Sequence, residues 1–214
     1  MKTNESNLAP IVIFVYNRLE HTKKTISALQ KNELASDSDV YIFSDAAKNN
    51  DKKSAVTDVR NYIKSISGFK NVTFFLAEKN KGLANSVIDG VTQIINQHGK
   101  VIVLEDDLIT SPYFLRFMNE SLEYYKDCSK VFSIAGYAPP VDIPKDFNKH
   151  IYPSYRSCSW GWSTWQDRWE KADWGVSDFK DISKKEKELL NRGGNDLYDM
   201  LSLQMRDIVD SWAI

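Results

Sequence analysis

The stretch VIVLEDDL, Val101 to Leu108, decides how this sequence is read. Four apolar residues, three of them β-branched, run without a break into Glu105, Asp106 and Asp107. An uninterrupted β-branched run of this length suits a strand covered on both faces, which is the pattern of a parallel sheet. The burial that suits the first half then delivers three adjacent like charges to the strand's end. Their mutual repulsion needs a compensating partner, and that partner is the first functional question the sequence raises.

The same strand signal recurs upstream. PIVIFVYN (10–17), DVYIFSD (39–45) and VTFFLAE (72–78) are short apolar runs that end in polar residues. Helical spacing fills the gaps between them: Thr22, Ile26 and Leu29; then Val56, Val59, Ile63 and Ile66; then Leu83, Val87, Ile88, Val91, Ile94 and Ile95. Three successive βα units predict an open α/β sheet, mainly parallel, with right-handed crossovers and flanking helices. In such sheets ligands bind beyond the carboxyl ends of the strands. The residues at those ends are Tyr16, Asn17 and Arg18; Ser44 and Asp45; Glu78 to Lys81; and Glu105 to Asp107.

Downstream, SPYFLRFMNESLEYY predicts a helix with Pro112 in its first turn, and KVFSIAGY predicts a further strand. A proline-punctuated excursion leads into SYRSCSWGWSTWQDRW, where Trp165 and Trp169 fit a packed helical stripe. Helical patterns return in KKEKELLNR and NDLYDMLSLQMRDIVDSW. No repeat, low-complexity tract or interdomain linker interrupts residues 1–214, so the chain reads as one domain. The final IVDSWAI carries no stop signal and reads as the interior of an element, as in a fragment of a longer chain.

Bulk properties narrow the chemistry. The 28 basic and 29 acidic side chains of the 214 residues nearly cancel, which argues against a nucleic-acid partner. Cys128 and Cys158 make neither a disulfide framework nor a zinc site, and a reducing cytoplasm is the default. The opening MKTNESNLAP lacks a signal pattern, and IVIFVY is too short to span a bilayer. His21, His98 and His150 are scattered and read as surface residues.

Acidic residues at a strand end often cap the next helix, but a cap uses one side chain and leaves two of these three unexplained. A hard divalent cation, Mg²⁺ or Mn²⁺, accounts for the set, since it takes carboxylate oxygens and shares its shell with water and phosphate. Arg18 suits a phosphate as a charge-assisted donor. Asp45 suits a base or ribose, or equally the cap of a following helix. There is no G-x-x-x-x-G-K-[ST] and no G-x-G-x-x-G after the first strand, so neither a P-loop nor a dinucleotide site is present. Trp160, Gly161 and Trp162 offer flat apolar faces around a flexible backbone, as a sugar ring requires, and Tyr155 and Arg156 add polar contacts.

The segments VYNR, SDAAK, NKGLANSV and VIVLEDDL, in this order, resemble the nucleotide-binding half of GT-A glycosyltransferases. The pattern is similar to family 2-like bacterial enzymes and to the N-acetylglucosaminyltransferase that starts complex N-glycan branching, which carries the same Glu-Asp-Asp-Leu. The resemblance extends more loosely through SWGW to DSW. It implies transfer of a sugar from a nucleoside-diphosphate sugar, UDP-linked, to a hydroxyl of a saccharide or lipid-linked acceptor, with inversion. It assigns residues 1–108 to the nucleotide sugar and 109–214 to the acceptor. Asp107 becomes the metal ligand, with Glu105 and Asp106 on the ribose, the donor sugar or a metal-bound water. Tyr16, Asn17, Arg18 and Asp45 hold the nucleoside diphosphate, with Asp45 on the base, and Lys81 and Gly82 approach the donor. The setting it implies is bacterial surface-polysaccharide assembly at the cytoplasmic face of a membrane, with peripheral attachment.

The catalytic base departs from the family pattern. The eukaryotic relative uses the second aspartate of Asp-Asp-Trp, where this sequence has Asp210-Ser211-Trp212. A one-residue shift assigns Asp210, and Asp207 is the fallback. Two other classes stay open. A sugar-phosphate nucleotidyltransferase would use the same sheet and metal, but should have a glycine-rich loop where this chain has VYNRLEHT. A non-catalytic saccharide- or nucleotide-binding module would keep the fold without turnover. A phosphoacceptor of the response-regulator kind would need an aspartate where Glu78-Lys79-Asn80 stands.

Overall fold

A computed structural model describes residues 8–213, so the polar opening residues 1–7 and Ile214 lie outside the described residues. The four expected strands are present as β1 (Ile11–Val15), β2 (Asp39–Ser44), β3 (Asn71–Leu76) and β4 (Lys100–Glu105), all parallel. Between them run α1 (Leu19–Gln30), α2 (Lys53–Ile63) and α3 (Leu83–His98). Then follow α4 (Phe114–Tyr125), β5 (Ser133–Ala135), β6 (Trp162–Trp165), α5 (Gln166–Trp169), α6 (Lys184–Leu190) and α7 (Leu197–Gln204). The sheet has six strands in the order β3-β2-β1-β4-β6-β5, with β6 antiparallel to both neighbours. This is the α/β, mainly parallel architecture expected from the periodicity.

Pleating divides the core between the two faces of the sheet. Ile11, Ile13 and Val15 pack with Ile26 and Leu29 of α1, Val59 and Ile63 of α2, and Leu115 and Met118 of α4. Val12 and Phe14 point the other way, to Val87, Val91, Ile94 and Ile95 of α3. β1 is buried on both faces, which explains why its sequence shows no alternation. Register then sets the functional edge. Val15 lies opposite Ser44, Ser44 opposite Leu76, and Phe14 opposite Glu105, so all four parallel strands end within one residue of one another.

Several expectations are corrected here. Trp165 and Trp169 do not share a helical stripe: Trp165 ends β6 and packs on the α4 side of the sheet, whereas Trp169, in the four-residue α5, packs on the α3 side with Trp162. Four consecutive buried positions on β6 satisfy both faces, which a helical count mimics. Pro112 precedes α4 and is not in its first turn. Leu83 is 41% exposed and leaves the α3 stripe. The final helical pattern stops at Gln204: Asp207 takes a left-handed backbone (φ 56°), and residues 208–213 run on without helix. The two aspartates of DIVDSW are therefore not on a helix.

Candidate active site at the carboxyl edge of the sheet

The repulsion among Glu105, Asp106 and Asp107 is met by Arg18, at the entry to α1. One guanidinium nitrogen, Nη2, donates to Asp106 Oδ1, and the other, Nη1, lies 3.0 Å from Asp107 Oδ2. The Tyr16 backbone N–H donates to Asp106 Oδ2 at 3.4 Å. Asp106 thus has both oxygens engaged and its side chain is 4% exposed, whereas that of Asp107 is 39% exposed. None of the three caps α4, whose N-terminal residue Tyr113 makes no side-chain cap.

Burial raises the Glu105 pKa above the ordinary carboxylate range, the neighbouring Asp107 charge adds to this, and a hydrogen bond from the Trp212 side chain opposes it. Asp106 is also raised, chiefly by burial, with the Arg18 bond and charge pulling it back. Arg18 supplies one positive charge against three carboxylates, so two net negative charges remain when all three are ionised. That surplus suits a cation.

No group of three or more His, Cys, Asp or Glu side chains converges as a metal cage among the described residues. A single exposed carboxylate beside one buried and one half-buried does fit Mg²⁺ or Mn²⁺, which take one or two protein oxygens and fill their shell with water and phosphate. It does not fit a closed zinc or calcium site.

The second strand end organises the loop into α3. The Asp45 carboxylate accepts from Ala46 N (2.8 Å), Asn80 Nδ2 (2.8 Å), Lys81 N (3.0 Å) and Gly82 N (3.1 Å). It caps no helix after Ala46; that work falls to Asn49, which accepts from Lys52 N. Lys81 Nζ pairs with Asp89 at 2.7 Å. Asp210 then closes over the loop, accepting from Leu83 N (2.7 Å) and Ala84 N (2.9 Å) at the first turn of α3. Two residues on, Trp212 is buried against Trp162 with ring centroids 4.4 Å apart. The carboxyl-terminal segment therefore reaches both the α3 entry and the carboxylate cluster. Tyr16 is tied to the rim by its hydroxyl, which accepts from Lys48 N at 3.0 Å, and Asn17 sits half-buried in the bend before Arg18.

The structure thus brings Tyr16, Asn17, Arg18, Asp45, Lys81, Gly82, Glu105, Asp106, Asp107 and Asp210 to one edge. Asp207 is exposed and lines a small cavity with Trp174, Gln204 and Trp212. The aromatic expectation divides. Trp160 is 54% exposed beside Tyr137, whereas Trp162 is 3% exposed, stacked on Trp169 and Trp212, and has no face left for a sugar. Gly161 (φ 71°) carries its backbone over Phe114, so the close approach it permits is to the core. Arg156 forms a two-pronged ion pair with Asp196 (2.7 and 3.0 Å), and the Arg192 guanidinium lies over the Tyr155 ring.

Two contributors carried little or no sequence signal. Arg60 of α2 donates to Ala77 O (2.7 Å) and to Ser44 O and Asp45 O (both 3.2 Å), locking the ends of β2 and β3 together. Trp212 was legible only as part of DSW, and its contact with Glu105 depends on the return of the chain.

No protein-family model matches the sequence, and no curated protein matches it. Solved structures are similar in part. A mannosyltransferase from Pyrobaculum calidifontis in complex with GDP-Man and Mn²⁺ is 11% identical over 76% of this chain and 46% of its own, with a TM-score of 0.49. S. aureus TarS is 12% identical over 72% of this chain and 28% of its own, with a TM-score of 0.45. A putative nucleotide-diphospho-sugar transferase from Desulfovibrio desulfuricans G20 is 12% identical over 94% of this chain and 77% of its own, with a TM-score of 0.47. This chain therefore spans less than half the length of the first two. Likenesses of this degree decide neither reaction nor substrate.

Proposed function

We propose that the chain is a GT-A glycosyltransferase that moves a sugar from a nucleoside-diphosphate sugar to a hydroxyl of a saccharide or lipid-linked acceptor, with a divalent cation and with inversion. The observation that carries this reading is the convergence at one sheet edge of an arginine-paired acidic triplet, the Asp45-organised loop and Asp210. In this reading the Tyr16–Arg18 bend and Asp45 line the nucleoside-diphosphate site. Glu105 is assigned to the ribose, the donor sugar or a metal-bound water; Asp106, both of whose oxygens are engaged, holds Arg18 in place, and Asp107 holds the cation. Lys81 and Gly82 approach the donor.

The reaction breaks the bond from the sugar anomeric carbon to the phosphate oxygen and forms one to the acceptor oxygen. A bound Mg²⁺ or Mn²⁺ supplies electrostatic stabilisation of the departing diphosphate. Arg18 adds its charge on the same side. The acceptor proton passes to a carboxylate on the opposite face of the sugar, and Asp210, at the entry to α3 beside Gly82, is the base assigned, with Asp207 as the alternative. This reading assigns Trp160, Tyr155 and Arg156 to the acceptor.

One observation favours a second, non-catalytic reading: both Asp210 oxygens already accept backbone N–H groups. Turnover with Asp210→Asn inactive would exclude it.

The test is thermal stability of the wild type and Asp107→Ala against a panel of nucleoside diphosphates and nucleotide sugars, with Mn²⁺ and with EDTA. A ligand at about a hundred times its dissociation constant adds about 2.7 kcal/mol. The reading requires a metal-dependent shift with one nucleotide that the variant loses. No shift anywhere in the panel overturns it.

A further inference from the structure

Arg18 divides its two terminal nitrogens between carboxylates of unlike character. Nη2 is on Asp106, whose side chain is 4% exposed and whose other oxygen is held by the Tyr16 N–H. Nη1 is on Asp107, whose side chain is 39% exposed, and Arg18 itself is 45% exposed. The first contact is a buried anchor and the second a solvent-facing one. A guanidinium can keep the first while exchanging the second, because its donors form a rigid planar fork with separate directions.

We propose that Arg18 is a tethered stand-in for the cation, released from Asp107 only when a cation and a nucleoside diphosphate arrive together. The inference rests on the donor site proposed above. A cation alone must displace Nη1 and leaves that half of the fork without an anion. A diphosphate alone can draw Nη1 away, but then leaves Asp107 uncompensated beside Glu105 and Asp106. With both present, Asp107 takes the cation and Nη1 turns to the diphosphate, while Nη2 stays on Asp106. Asp107, the cation, Nη1 and the diphosphate then each face a group of opposite charge. Arg18 is thus a positioning residue that couples the two ligands, and the coupling is reciprocal by linkage.

The measurement is Mn²⁺ affinity by electron paramagnetic resonance of the free ion, alone and with saturating UDP or GDP. The proteins are wild type, Arg18→Gln, Arg18→Lys and Asp107→Ala. In the wild type, nucleotide should tighten Mn²⁺ binding by a factor within the range of about 5–150 typical of coupled sites. In Arg18→Gln, Mn²⁺ alone should bind severalfold more tightly than to wild type, and the enhancement by nucleotide should fall towards one.

If Arg18→Gln fails to fold, Arg18→Lys serves. It keeps the charge on Asp106 but lacks a fork that spans both carboxylates, so it too should bind Mn²⁺ alone more tightly. Metal binding that is nucleotide-coupled, lost in Asp107→Ala and unaffected in both Arg18 variants overturns the stand-in and leaves the donor site standing. No Mn²⁺ binding to the wild type under any condition overturns both.

Discussion

The Oδ2 atom of Asp210 lies 2.8 Å from the point where a Cβ on residue 82 would stand, so the carboxyl-terminal segment seats against the α3 entry only because that residue is glycine. Gly82 also has a left-handed backbone, φ 80°. Gly82→Ala should therefore cost about 1–3 kcal/mol from backbone strain alone. Asp210→Ala should cost about 1 kcal/mol, the usual loss for a helix cap. The two residues share one contact, so the double variant should lose less than the sum. Urea unfolding of the four proteins measures the cycle; strict additivity would show that Asp210 does not sit on Gly82 in solution.

Arg18 and Asp106 should respond unequally to neutralisation. Arg18→Met leaves a buried carboxylate without its cation, and the loss should be about 2–3 kcal/mol. That is at or below the lower end for broken buried pairs, because the guanidinium is itself 45% exposed and screened. Asp106→Asn leaves a half-exposed arginine in water and should cost about 1 kcal/mol. Equal losses would place the pair at the surface.

Glu105 gives a pH signature. Its folded-state pKa is raised, mainly by burial and then by Asp107, so in the window above the ordinary carboxylate range the folded chain binds a proton that the unfolded chain has released. Its contribution favours the fold at low pH and is lost as pH rises through the raised value. Glu105→Gln should therefore be more stable than wild type at neutral pH, by about 1 kcal/mol. The advantage should vanish below the ordinary carboxylate range, where both states are protonated. Melting temperatures of the two proteins across this range test the sign, and a wild type favoured at neutral pH contradicts it.

The two tryptophans around Gly161 should separate by mechanism. Trp162→Ala empties a buried stack with Trp169 and Trp212 and should cost about 3–5 kcal/mol. Trp160→Ala removes a half-exposed ring and should change stability by no more than about 1 kcal/mol while weakening acceptor use. A comparison of chemical unfolding with KM for the acceptor separates the roles. Unchanged KM in Trp160→Ala removes it from the acceptor side.

Much of this molecule was legible in the one-dimensional pattern because the first half is periodic. The β-branched runs ending at Val15, Ser44, Leu76 and Glu105, separated by helical spacing, admit few arrangements other than parallel strands. A parallel sheet then places the polar residues after those strands on one edge. The second half misled where the pattern was ambiguous. Trp165 and Trp169 are four apart, a helical interval, yet Trp165 ends a strand that is buried on both sides and the two rings pack on opposite faces of the sheet. The run through IVDSW looks helical, but the chain turns at Asp207 and leaves the helix. Periodicity has no signal for such a turn when the residue is not glycine.

By itself, the sequence determined the alternation of strands and helices, the carboxyl edge as the place for chemistry, and the unusual density of acid at Glu105 to Asp107. These follow from local forces: side-chain branching, the period of burial, and the short reach of charge repulsion. Only the tertiary structure decided which groups answer that charge. Arg18 pairs with Asp106 and Asp107 across roughly ninety residues, and Asp210 reaches Leu83 and Ala84 across still more. Such pairings depend on where distant strand ends and a returning segment meet in space, and no local preference in the chain encodes that distance.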